Sequence, residues 1–179
     1  VETNSFGATP LVLAEYGLAE HAFELNRLAA ALAREACAKF ERPERLRFVA
    51  GSMGPTTRAI SVTGGVTFEQ LADNFRVQAL GLMAGGADYL LLETCQDTRN
   101  VKAGLAGVER AFEEAGWRLP VAVSVTIEPT GTMLAGQDAE ALAARKAIER
   151  AKGILMQREG LSEDEAFARL RKASQISGR

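Results

Sequence analysis

The sequence predicts an α/β fold, a partial TIM barrel of about four β/α units followed by an α-helical hairpin. Three observations carry this. Short apolar runs alternate with long helical periodicities over the first three-quarters of the chain. Those runs are apolar throughout, the pattern of parallel strands covered on both faces. After about residue 137 no further strand pattern occurs, and the periodicity becomes wholly helical.

Taken in order, Val1 to Thr3 reads as the end of a strand. Residues 11–40 carry Leu18, Leu25, Leu28, Leu32 and Ala36 at helical spacing, which predicts a helix with that apolar face. Arg47 to Gly51 reads as a short buried strand. Phe68, Leu71, Phe75, Ala79 and Leu82 form the stripe of a second helix, closed by Gly85-Gly86. Asp88 to Leu92 is the third strand. Val101, Leu105, Val108 and Phe112 make the third helix, with Gly116 after it. Pro120 to Val125 is the fourth strand. No G-x-G-x-x-G follows a strand, which argues against a dinucleotide-binding sheet. Each strand ends instead in a polar, glycine-rich or acidic loop, the arrangement that places chemistry on the C-terminal rim of a barrel. An open half-barrel exposes two strand edges and its inner face, so the chain is expected to self-associate.

The tail, residues 138–179, is read separately. Leu142, Ala147, Ala151, Ile154 and Leu155 lie on one side of a helix, with Arg145, Lys146, Arg150 and Lys152 around it. Gly160 stops that helix. Ser162 with Glu165 three residues on is a capping box opening a second helix through Phe167 and Leu170.

Composition bounds the function classes. The chain has 179 residues, 47% hydrophobic and 25% charged, which is ordinary for a globular protein. No apolar run reaches the roughly 18 residues of a membrane span, and no secretory signal pattern is present. The chain starts without Met and inside a motif, so its native N-terminus is expected upstream. Cys37 and Cys95 are too few for a disulfide framework and fit a reducing cytoplasm. Net charge is −2. Residues 138–179 hold nine basic and seven acidic side chains, and the first 137 hold 12 and 16, so the tail is slightly positive.

Four segments fall at strand ends: Glu2-Thr-Asn-Ser-Phe6, Gly51-Ser-Met-Gly-Pro-Thr56, Glu93-Thr-Cys-Gln-Asp-Thr98 and Thr130-Gly-Thr-Met-Leu134. Each has a plain structural alternative. A Glu ending a strand is commonly an exposed rim carboxylate, Gly54-Pro55 is a turn, and Asp97 is a helix N-cap.

In this order and spacing, E-T-N-S-F, G-P-T-x-R, E-T-C-Q-D-T and T-G-T-M-L resemble the homocysteine S-methyltransferase domain of cobalamin-dependent methionine synthases, over residues 1 to about 137. The resemblance implies a TIM barrel that binds homocysteine at its C-terminal rim and activates the thiol on zinc. A thiol of pKa about 8.5 is a poor nucleophile at neutral pH, and a metal holds it as thiolate. It implies Glu93 as the group that grips the substrate's amino group, with Glu2 and Asn4 lining the same rim. Family members bind zinc through cysteines in motifs like G-x-N-C and G-G-C-C, and neither motif occurs in this sequence. The family's first strand also has no counterpart. Zinc and cobalamin therefore belong to the intact family, none is expected bound to this chain, and methyl transfer by the chain alone is not expected. His21 reads as a surface or packing residue.

The tail's Ala147-Ile-Glu-Arg-Ala-Lys-Gly-Ile-Leu-Met156, followed by Gly160-Leu-Ser-Glu-Asp-Glu-Ala-Phe167 and Leu170-Arg-Lys-Ala-Ser174, resembles an ANTAR domain, an RNA-binding antitermination module of three helices. The third helix is not found in the sequence. The resemblance implies stem-loop RNA as a partner and Arg150, Lys152, Arg171 and Lys172 as RNA-facing groups, since basic helix faces meet phosphates. The alternative is a solvated amphipathic hairpin whose charges bind nothing. Two functions thus stand: a fragment of a homocysteine methyl-transfer module, and an RNA-binding antitermination module.

Overall fold

The computed structural model describes residues 1–136 together with 155–157, 159–166 and 168–169. The chain divides into two compact units, Val1–Gly136 and Gln137–Arg179.

The first unit is built on three parallel strands, β1 (Ala50–Met53), β2 (Tyr89–Cys95) and β3 (Val121–Val125), paired in the order β1-β2-β3. Ala50 pairs with Tyr89, and Leu90 with Val121. Residues 1–3 add a fourth parallel segment beside β1 through a bridge between Glu2 and Ala50. The segments thus follow one another across the sheet in chain order. That is how a barrel winds; a doubly wound sheet reverses direction at its middle. The described strand lies at residues 50–53, a few positions beyond the apolar run read at 47–51, and β2 extends to Cys95.

Helices α3 (Phe68–Ala84) and α4 (Thr98–Ala115) follow the predicted limits. Local chemistry sets them. Thr67 and Gln70 form a reciprocal capping box, with Gln70 N–H donating to Thr67 Oγ1 at 3.2 Å and Thr67 N–H to Gln70 Oε1 at 2.9 Å. Gly116, in a left-handed conformation, closes α4. Leu71, Phe75, Ala79, Leu82, Val108 and Phe112 are buried against Leu90 and Leu92 of β2 in the core between helices and sheet.

The region 11–40 departs from a single helix. Pro10–Leu13 forms α1, capped by Thr9; two short 3-10 turns follow, broken by Gly17 at φ 69°; α2 then runs Ala22–Phe40. Its packed face is also different. Ala22, Asn26, Ala29, Ala30, Ala33 and Cys37 are buried, whereas Leu18, Leu25, Leu28 and Leu32 are exposed. The reason is the closeness of α3. A Cβ on Gly81 would lie 2.5 Å from the Phe23 carbonyl oxygen, and one on Gly85 would collide with the Arg27 carbonyl. Backbones this near admit alanine between them and exclude leucine. The leucine stripe lies on the flank of α2 turned away from α3.

β3 corrects a second expectation. It was read as covered on both faces, yet all five of its residues are exposed, because it has β2 on one side and no strand on the other among the described residues.

In the second unit, Gly160 at φ 66° donates its N–H to the Met156 carbonyl at 3.1 Å, after the helical residues 155–157 and 159. Ser162 and Glu165 form the predicted capping box: Ser162 N–H reaches Glu165 Oε2 at 2.8 Å and Glu165 N–H reaches Ser162 Oγ at 3.4 Å. Leu142, Ala147, Ala151, Ile154, Phe167 and Leu170 lie outside the described residues.

Candidate functional site

The sheet's side-chain alternation separates two layers. Gly51, Met53, Leu90 and Leu92 face the helices. Glu2, Ser52 and Glu93 share the opposite face, the interior of the barrel, at the C-terminal ends of their strands.

A knot of small hydroxyls sets this rim. Thr3 N–H donates to the Ala50 carbonyl at 3.0 Å, and Ala50 N–H to the Val1 carbonyl at 2.8 Å, which lays residues 1–3 along β1. Ser52 N–H donates to Thr3 Oγ1 at 2.9 Å, the Thr3 and Ser5 hydroxyls lie 2.6 Å apart, and Ser5 Oγ donates to the Ser52 carbonyl at 2.8 Å. Gln78 of α3 ties down the Ser5 carbonyl at 2.7 Å. Thr3, Ser5, Ser52 and Gln78 are all buried, so each bond replaces water that these groups cannot reach. Next in line, Gly54 N–H donates to the Phe6 carbonyl at 2.9 Å, and a Cβ on Gly54 would sit 2.6 Å from the Phe6 ring. Glycine is required there for close approach.

Two carboxyls meet on this frame. The Ser52 hydroxyl donates to Glu93 Oε1, and the Glu2 carboxyl hydrogen-bonds Glu93. That hydrogen bond, then burial and repulsion by the neighbouring negative charge, raise the Glu2 pKa above its ordinary value. Glu93 is aimed by a register shift between Leu92 and Cys95, where Thr94 takes a φ of 55°. A β-branched residue in that region stores about 1–3 kcal/mol of strain, which the surrounding pairing holds in place. Glu93 is half-buried and Glu2 exposed, so the pair is open to solvent and to ligand.

The other expected rim residue lies elsewhere. Asn4 is exposed and lines a groove with Gly7, Ala8, Leu25, Leu28 and Leu32 on the flank of α2. Asp97 caps α4, accepting from Arg99 N–H at 2.8 Å, and also holds the 58–63 loop by accepting from Ser61 N–H at 2.9 Å. Its capping reading therefore stands. The Thr130–Leu134 motif is a turn, with Met133 buried and Ala135 N–H donating to the Gln96 carbonyl at 3.1 Å. His21 is exposed beside Glu20. Arg150, Lys152, Arg171 and Lys172 lie outside the described residues. Sequence reasoning missed Thr3, Ser5 and Ser52; the available signal was hydroxyls placed inside otherwise apolar strand ends.

Comparison with known proteins bears on this rim. Residues 1–156 match the family model of homocysteine S-methyltransferases, and residues 137–179 match the ANTAR domain model. The methionine synthase of Mycobacterium tuberculosis is 41% identical over 138 residues, covering 77% of this chain and 12% of that protein. The methionine synthase of Mycobacterium leprae is 40% identical, covering 77% and 11%. The chain thus spans about an eighth of the length of the curated relatives it matches. The crystal structure of the homocysteine methyltransferase MmuM from Escherichia coli, in its oxidized form, superposes with a TM-score of 0.62 at 20% identity, covering 90% of this chain and 62% of that one. This shows the fold, and the first unit is a partial TIM barrel.

The chain's donor set does not fit zinc. Its whole complement of soft ligands is Cys37, Cys95 and His21. Cys37 is buried under α2 facing the Phe48 carbonyl, His21 is on the surface, and burial together with Glu93 pushes the Cys95 thiol up to about 11. Among the described residues no three potential ligands come together. The small pocket beneath the loops, lined by Gly54, Pro55, Cys95 and Asp97, does not include Glu2 or Glu93. Neither it nor the α2 groove offers a place where a cobalamin would meet the carboxylates, so no step is derived through either group. No described helix is long and apolar enough to cross a membrane.

The carboxyl pair makes a direct prediction. In a carbon-detected NMR titration the Glu2 side chain titrates above an ordinary glutamate, and in Glu93→Ala its midpoint falls back toward the ordinary value. Because the folded-state pKa is raised, the stabilising contribution of this hydrogen bond is present at low pH and fades as pH rises through the Glu2 midpoint. An ordinary Glu2 midpoint, unchanged by Glu93→Ala, contradicts the Glu2–Glu93 hydrogen bond.

Proposed function

The chain belongs to the homocysteine S-methyltransferase family, and from that premise we propose that its first unit is the amino-acid-gripping rim of a homocysteine methyl-transfer module. The observation that carries this reading is the Glu2–Glu93 pair on its Ser52 support. The two carboxyls face each other at an open rim, where the hydrogen bond to Glu93, burial and their mutual repulsion once both are ionised raise the Glu2 pKa. An α-ammonium entering between them offsets that repulsion, makes charge-assisted hydrogen bonds to both carboxylates, and displaces the proton Glu2 still holds below its midpoint. Glu93, held by the Ser52 hydroxyl, is the main contact, and Glu2 closes the other side.

Binding is what these residues do. At neutral pH a homocysteine thiol is mostly protonated, and among the described residues no group of metal ligands gathers to hold it as thiolate. Zinc and a cobalamin methyl carrier, which the family implies, come in this reading from parts of a larger assembly, and the chain alone binds without transferring methyl. Two free cysteines suit a reducing, cytoplasmic setting.

The test is a titration with homocysteine and with 4-mercaptobutyrate, which lacks the amino group. Homocysteine binding should strengthen as pH rises through the Glu2 midpoint, since binding expels that proton. Removing the amino group, or Glu93→Ala, should weaken it about ten- to a hundredfold, the weight of a hydrogen bond between charged groups. Equal affinity for both ligands would remove Glu93 from this role.

A second reading concerns residues 137–179, and the match to the ANTAR model favours it. In this reading Arg150, Lys152, Arg171 and Lys172 contact the phosphates of a stem-loop RNA in transcription antitermination. Phosphate contacts make affinity fall steeply with salt. Replacing Arg150 and Lys152 by Ala should weaken binding across all RNA sequences and flatten the salt slope by roughly one unit per lost contact. A titration of stem-loop RNA at several salt concentrations checks this; no binding at low salt would rule the reading out.

A further inference from the structure

Gly54 continues the alternation of β1 past its last residue. The N–H groups of Ala50, Ser52 and Gly54 all point to the first segment, reaching the Val1 carbonyl, Thr3 Oγ1 and the Phe6 carbonyl. Side chains at every second position of this stretch therefore share one face. A Cβ on Gly51 would point at Leu82 and Leu90, in the layer between sheet and helices. Ser52 and Gly54 thus share the opposite face, the interior of the barrel. The Phe6 ring lies on that face. A Cβ on Gly54 would be 2.6 Å from its Cδ1, Cε1 and Cε2 alike. Cδ1 and Cε2 are opposite corners of the ring, so the point equidistant from all three lies over the ring centre. The ring is laid flat on Gly54, and its other face turns into the barrel. Consistent with that, Phe6 is 42% exposed. The carboxyl pair is its neighbour along the strand. Ser52 donates to Glu93, and Gly54 follows two residues on, about 7 Å nearer the C-terminal mouth.

We propose that Phe6 is the specificity-determining residue for the sulfur end of the substrate, its inward ring face forming the platform that the side chain of a gripped homocysteine crosses. The proposal rests on the amino-acid-gripping reading of Glu93 and adds to it what the far end of the ligand meets. The ammonium nitrogen and the sulfur of homocysteine are four bonds apart, roughly 5 Å when extended. With the nitrogen at the carboxyls and the chain running toward the mouth, the methylenes and the sulfur come over the ring. A polarizable, weakly hydrated sulfur gains from contact with an aromatic face. A hydroxyl in its place gives up hydrogen bonds to water and finds no partner on the ring. Glycine at position 54 is part of the device, because any side chain there would lift the ring from the strand and close the space above it.

The experiment is an NMR titration of the full chain with three ligands: homocysteine, homoserine, which has oxygen in place of sulfur, and 4-mercaptobutyrate, which lacks the amino group. The wild type should bind homocysteine about two- to tenfold more tightly than homoserine, the weight of a sulfur–aromatic contact. Its Phe6 ring protons should show nuclear Overhauser contacts to the methylenes of bound homocysteine. Two variants remove the platform in different ways. Phe6→Ala deletes the ring, and Gly54→Ala displaces it, since the tip of an exposed side chain gives way before backbone does. In both, the preference for sulfur over oxygen should vanish while homocysteine still outbinds 4-mercaptobutyrate. A merely structural role would weaken homocysteine and homoserine equally and leave their ratio unchanged. That result, a wild type without preference for sulfur, or a Phe6 ring without contacts to the ligand overturns the proposal, and the amino-group dependence then leaves the grip of Glu93 standing. Equal binding of homocysteine and 4-mercaptobutyrate removes the grip and the platform together.

Discussion

Residues 1–3 lie along β1 because Thr3 donates to the Ala50 carbonyl and Ala50 to the Val1 carbonyl, and because Thr3 Oγ1 then receives the Ser52 N–H. These contacts join the first segment to a strand nearly fifty residues away, and the rim depends on them. Ser5 extends the junction to the Ser52 carbonyl, and Gln78 anchors Ser5 to α3. With Ser52 held from behind, its side chain on the opposite face is free to donate to Glu93. The strained Thr94 turns Glu93 toward that hydroxyl, and Glu2, next to Val1, meets it from the other side. Loss of the junction would free Glu2 to rotate into water and leave Glu93 with Ser52 alone.

The outer layer supports this by closeness. Gly81 and Gly85 let α3 pass against α2 at backbone distance, and Gly107 does the same between α4 and α3, where a Cβ would collide with the Ala72 carbonyl. Side chains of alanine size fill the remaining space. The consequence is that the large apolar residues of α2 are pushed to its flank, where they remain available to a neighbour.

Much of the fold was legible in the sequence, because its determinants are local. The limits of α3 and α4, the stop at Gly160 and the Ser162–Glu165 box follow from capping chemistry that spans four residues or fewer. That a Glu ends the apolar run of β2 was legible, while its role as a substrate contact came only from the motif resemblance. The face of α2 was not, since helical periodicity shows that an apolar stripe exists and says nothing of which neighbour meets it; the glycines that decide the matter are on α3, about fifty residues away. The exposure of β3 was hidden for a similar reason, as an edge strand and an interior strand of a parallel sheet read alike until their neighbours are counted. Asn4 was grouped with Glu2 by motif, and strand alternation would keep positions 2 and 4 on one face, but the pairing with β1 ends at Thr3 and the chain turns away after it. The buried hydroxyls escaped notice because Thr and Ser in a strand end carry no signal of their own; their meaning lies in a pairing between segments.

The central claim is that this buried junction sets the two carboxyls side by side. Amide hydrogen exchange at Ser52 in the wild type and in Thr3→Val tests it most directly, because valine keeps the shape of threonine and deletes the hydroxyl that accepts from Ser52 and bonds Ser5. The account predicts a Ser52 amide protected to the level of global unfolding in the wild type, with that protection dropping in Thr3→Val while the amides of α3 remain slow. A Ser52 amide that exchanges as fast as a surface loop, or one whose protection is indifferent to the loss of the Thr3 hydroxyl, would contradict it.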